Sequence, residues 1–152
     1  SFSSFLNLVR LGVPEEDIST ILMADHGLQL YGNAIIINTN FAEANADLIK
    51  SFLAAIAEGW KDAIDNPASA AQALIKRNPA ADAKLEERRL KLAIDANVLT
   101  DYVKANGMGY VDNARFTKAI EQLGEVYDYK IAPNASLYFT DAYLPGGGIP
   151  MQ

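Results

Sequence analysis

The sequence predicts an α/β fold rich in helix, and three observations carry that prediction. Two β-rich apolar runs, residues 17–24 and 32–38, are each bounded by turn-forming residues. Within the second, Ala34, Ile35, Ile36 and Ile37 are apolar without alternation, which is the pattern of a strand covered on both faces. From Asn45 onward the apolar residues recur instead at the spacing of helices. Two strands are too few for a complete doubly wound sheet. The strand at 34–37 is therefore expected to lie within a larger α/β architecture, with this chain as one fragment of it. The apolar-rich start, residues 1–11, supports the same expectation.

In chain order, Phe5, Leu8 and Val9 fall at helical spacing, and Gly12 supplies a stop before Val13 and Pro14. The strand at 17–24 follows, then a polar loop over 25–30, then the strand at 32–38. From Asn45, a plausible N-cap, Ile49, Phe52, Leu53, Ile56, Trp60 and Ile64 trace one face of a long helix, which places Trp60 in the core. Asn66 and Pro67 end it and open a second helix that stops before Asn78 and Pro79. Asp82 begins a third, reaching about Asn97, in which Glu86, Glu87, Arg88 and Arg89 pair along a solvated face. Asn106 to Gly109 make a turn. Phe116, Ala119, Ile120 and Leu123 then mark a fourth helix ending near Gly124. A short strand is expected at 129–132, and the glycine-rich residues 145–150 read as a loose tail.

Composition narrows the function. Half of the 152 residues are apolar, enough for one domain with a core. The net charge of -6 and pI near 4.7 argue against a nucleic-acid partner, whose phosphates need a basic face. Without cysteine there is no disulfide, thiol nucleophile or thiolate metal site. The single histidine, His26, has no second histidine for a metal site, and no catalytic group and no cofactor are read from the chain. No apolar run approaches the roughly 20 residues that span a bilayer.

The richest stretch for function is 24–38, where a glycine-marked polar loop meets the apolar strand. Gly27 and Gly32 allow tight turns, and Tyr31 between them offers an apolar ring with a hydrogen-bonding tip, as pocket linings do. Tyr31 reads equally as a buried anchor, Asn33 as a residue bonding its own turn, and His26 as a loop anchor. At the N-terminus Phe2 reads as core or pocket, and Ser3 and Ser4 as helix caps or ligand contacts.

Several stretches together resemble a known family. These are residues 1–8, Ser-Phe-Ser-Ser-Phe-Leu-Asn-Leu; Asp25-His26-Gly27 followed by Tyr31; the strand into Asn38-Thr39-Asn40-Phe41; the Trp60 helix with Asp65-Asn66-Pro67; and residues 139–145, Phe-Thr-Asp-Ala-Tyr-Leu-Pro. In this order they look like the C-terminal half of the solute-binding proteins of ABC importers, the group that includes thiamine-pyrimidine, taurine, sulfonate and nitrate binders. The resemblance implies a two-lobed, type II periplasmic-binding clamshell with a small-molecule ligand between its lobes. Residues 1–30 would end the second lobe, 31–40 form a crossover strand, 41–144 return as helices to the first lobe, and 145–152 form a flexible tail.

By the same resemblance the ligand-binding residues are Phe2, Ser3, Ser4, His26, Tyr31 and Asn33. Ser4 departs from the pyrimidine binders, which often place a glutamate near that position, so its site lacks that charge. The implied function is capture of a small organic solute, aromatic and pyrimidine-like or sulfonate-like, with no enzymatic step. The implied partners are the membrane subunits of the transporter and the N-terminal part of the same protein, in the periplasm or tethered outside the membrane. Two alternatives share the architecture. A thiamine-pyrimidine synthase-like enzyme would use a cysteine-rich motif, absent here, and the ligand-sensing domain of a transcription regulator would follow a helix-turn-helix segment.

Overall fold

Helix termini in this protein are set by short polar side chains, and these fix most of the architecture. The computed structural model describes residues 2–130, 133–145 and 149–151. Seven α-helices follow one another: α1 (Phe2–Arg10), α2 (Thr39–Ala44), α3 (Ala46–Asp65), α4 (Pro67–Arg77), α5 (Ala83–Ala93), α6 (Asp101–Asn106) and α7 (Asn113–Val126). At the starts of α2, α4, α5, α6 and α7 the side chains of Asn38, Asn66, Asp82, Thr100 and Asp112 accept the N–H three residues on, satisfying a donor the helix itself leaves free. Pro67 occupies the first turn of α4, where its missing N–H removes nothing.

The expected helices are present, with shifted ends. Asn45 precedes α3 but makes no side-chain cap, because its amide donates back to the Phe41 carbonyl of α2. The third helix does not run uniformly to Asn97. After Ala93 it widens into a π-turn over Ile94–Val98, where the Leu99 N–H reaches the Ile94 carbonyl five residues back. Helix α7 ends at Val126, two residues beyond Gly124 and close to the expected end. The short helices α2 and α6 carry too few apolar positions to show a period in the sequence.

The helix-rich part of the α/β expectation holds and its strands do not: helices are the regular elements of the described residues, whose one β pairing is an isolated antiparallel bridge between Met108 and Ile149. Residues 17–24 divide between two 3-10 turns (Glu15–Asp17 and Met23–His26) and extended chain, and residues 32–38 are extended without a neighbouring strand. The physical reason is that β-rich composition describes a surface that must be paired to become a strand. Here the apolar side chains face solvent instead: Ile21 is 73% exposed, Ile35 50% and Ile36 93%. Of the strand expected at 129–132, residues 131–132 lie outside the described residues, as do 146–148 and 152 of the tail. Ile149, expected in that loose tail, is buried and exchanges two backbone hydrogen bonds with Met108, at 2.9 and 3.2 Å.

Among the described residues the buried apolar ones are Leu6, Ala42, Ile49, Ala57, Ala71, Ile94, Ala119 and Ile149. Four of these eight are alanines, which let helices approach closely. Helices α3, α4 and α5 pack in succession, and α1 packs on α5. The α1–α5 contact is pinned from outside by Arg88, whose Nη1 and Nη2 donate to the two carboxylate oxygens of Glu15, each at 2.7 Å. The guanidinium of Arg88 also lies 5.9 Å from the centre of the Phe5 ring.

Candidate functional site

Tyr31 stands at the end of an extended strap, residues 27–31, that α7 holds along its side. Asp112 caps α7 with its carboxylate, which accepts the Arg115 N–H at 2.8 Å. That cap fixes the first turn and aims the Arg115 side chain at the strap. Its Nε donates to the Gln29 carbonyl and its Nη2 to the Leu30 carbonyl, both at 3.1 Å. Two turns further on, the Gln122 amide donates to the Gly27 carbonyl at 2.9 Å. Three carbonyls of a segment without secondary structure thus find partners on one helix, as a strap needs once it leaves full solvation.

Aromatic packing surrounds Tyr31. The Arg115 guanidinium lies 4.6 Å from the centre of its ring, and Phe116 meets it edge-on at 6.0 Å. Phe139 continues the row, edge-on to Phe116 at 6.3 Å. The Tyr31 hydroxyl accepts the backbone N–H of Asp112 at 2.7 Å. Tyr102 belongs to the same neighbourhood. Partial desolvation pushes its phenol above the ordinary tyrosine range, and Tyr31, Asp112 and Tyr110 push it the same way. The cluster is a row of aromatic rings around a phenolic oxygen that accepts the Asp112 N–H.

The six residues named from the sequence fall in separate places. Phe2, Ser3 and Ser4 lie in the first turn of α1, so the two serines are exposed helical residues, and Phe2 is half-buried. His26 closes the 3-10 turn Met23–His26, exposed, followed by Gly27 in the left-handed conformation at φ 95°. Asn33 is exposed just beyond the strap, and Tyr31 is half-buried in the cluster. No hydrogen bond or ion pair among the described residues joins the α1 group to the strap group. Arg115, Asp112, Gln122, Phe116 and Phe139 complete the Tyr31 cluster and were not singled out by sequence reasoning as site residues. Only Phe139, which opens the stretch 139–145, and the cap spacing from Asp112 to Arg115 gave any signal. Among the described residues no group of three or more His, Cys, Asp or Glu could hold a metal ion, and no helix is long and apolar enough to cross a membrane.

The family model described as NMT1/THI5 like matches residues 3–70, from α1 through the start of α4. That is the family of solute-binding proteins of ABC importers, so the resemblance read from the sequence holds over this stretch, which includes the strap and Tyr31. Neither the curated proteins nor the solved structures give a significant match.

Proposed function

We propose that this chain is the C-terminal part of the ligand-binding component of an ABC importer. It would capture a small organic solute, aromatic and pyrimidine-like or sulfonate-like, by binding without chemical turnover. The observation that carries the proposal is the family match over residues 3–70, which spans five of the six residues named as ligand contacts from the resemblance beyond Phe2. In this reading residues 1–30 end one lobe, 31–40 cross between lobes, and 41–144 return to the other. The rest of the protein and the membrane subunits of the transporter are its partners, outside the cytoplasmic membrane or in the periplasm.

The strap is consistent with that role. A segment held to α7 by hydrogen bonds to three carbonyls can keep Tyr31 in place while residues 32–37, which have no hydrogen bond to α7, take up a change in angle. Closure would then follow from ligand contacts that exist only in the closed form. The test is the mass of the longest form the source gene encodes, measured after mild extraction and again after denaturation. A small solute retained in the first measurement and lost in the second is expected. No retained compound, with no thermal shift on adding pyrimidines or sulfonates, would sink the reading.

A further inference from the structure

Helices α3, α4 and α5 do not close completely against one another. They leave an open cleft of about 540 Å³, within the roughly 300–1,000 Å³ of small-molecule sites. It is walled by Ile56 and Trp60 of α3, Leu74 of α4 and Leu90 of α5, with Glu86 and Arg89 as its charged residues. None of the residues named above as ligand contacts lines it.

Glu86 and Arg89 were expected on a solvated helix face. Their side chains are instead 16% and 26% exposed, and Arg89 Nη1 donates to Glu86 Oε1. One turn of α5 separates them, so the pair presents a donor and an acceptor side by side. Among the described residues no hydrogen bond takes up Arg89 Nη2 or Glu86 Oε2, and Arg89 Nε is buried without a partner. The cleft thus has apolar walls, an aromatic ring and one neutral polar edge made of adjacent N–H donors and a carboxylate oxygen.

We propose that this cleft binds a small uncharged molecule with an apolar body and an amide-type edge. The ligand carbonyl would accept from Arg89 Nη2, its N–H would donate to Glu86 Oε2, and its body would lie against Trp60, Leu74 and Leu90. The pair is neutral overall, so an ion's attraction to one member is offset by repulsion from the other, and its loss of hydration is left uncompensated. A wholly apolar molecule would strip water from Arg89 Nη2 and Glu86 Oε2 without replacing it.

Trp60 is the sole tryptophan of the chain, so its fluorescence reports on this cleft directly. The probes are phenylacetamide and phenylacetate, which share a body and differ at the edge. Phenylacetamide is expected to shift Trp60 emission saturably, and phenylacetate to bind about tenfold more weakly, the effect of one or two hydrogen bonds lost or opposed. Ala70→Phe, which fills the cleft from α4, is expected to abolish the shift while circular dichroism stays helical. No saturable shift on the unmodified chain, an equal response to both probes, or a shift that survives in a folded Ala70→Phe variant would overturn the proposal. If Ala70→Phe does not fold, the comparison of the two probes on the unmodified chain decides it.

Discussion

The phenolic oxygen of Tyr31 accepts the backbone N–H of Asp112 at 2.7 Å, across 81 residues of sequence. The last residue of the strap therefore holds the residue that caps α7, whose own carboxylate accepts from Arg115, which in turn holds the strap. The three residues form a closed loop of mutual support, and removing one weakens the others.

Tyr31→Phe keeps the ring and its aromatic contacts but leaves the Asp112 N–H without its acceptor. A loss of about 1 kcal/mol is expected in urea unfolding, together with faster exchange of the Asp112 amide. Unchanged exchange at Asp112 would show that this hydrogen bond does not hold the cap.

Arg115→Met removes two hydrogen bonds and the cation over Tyr31 while preserving most of the apolar stem. The expected cost is about 1–3 kcal/mol. The sign of a released strap is selective proteolysis within residues 27–31 before global unfolding. Cleavage elsewhere first would contradict the role given to Arg115.

Glu15 and Arg88 give a pH dependence whose sign is fixed. The hydrogen bonds from Arg88 hold the Glu15 carboxyl below the usual glutamate range, against a smaller opposing effect of desolvation, and Glu15 raises Arg88 in return. A depressed carboxyl contributes stability above its unfolded pKa and loses it as pH falls through the folded value. The melting temperature should therefore fall on acidification below about pH 4.3, and less so in Glu15→Gln. Both groups are solvent-exposed, so salt should shrink the difference. Parallel acid profiles for the two proteins would remove this pair from the account.

Gly109 has φ 103°, and a Cβ placed there would lie 2.7 Å from the Leu144 side chain. Gly109→Ala combines a left-handed backbone with a steric conflict, and a destabilisation of about 1–2 kcal/mol is expected. Leu144→Ala in the same chain should recover the steric part only. A neutral Gly109→Ala would show that the turn between α6 and α7 rearranges freely.

Much of the helical fold was legible because its signals are local. Asn66 with Pro67, Asp82, and the apolar spacing from Phe116 to Leu123 each act within a turn or two, and the helices they predict are present. The strands failed for the opposite reason. The isoleucines of 34–37 have strand composition, but a strand also needs a neighbour, and no window of sequence shows whether one is there. Glu86 and Arg89 misled for a related reason: their spacing predicts the ion pair, while its partial burial depends on α3 and α4. Tyr31 stood out for its chemistry, yet its partners lie more than 80 residues downstream, and no periodicity encodes that distance.

The alanines at 42, 57, 71 and 119 have a bearing on how this sequence can vary. In interiors built from large side chains, the usual damage is a hole left by trimming. Here half of the buried apolar positions have only a methyl group to give up. At those sites the harmful direction is growth, since an added methylene must displace neighbours already in contact. Natural variants of this protein should accordingly keep Ala, Gly or Ser at these four positions while exchanging Leu, Ile and Val elsewhere.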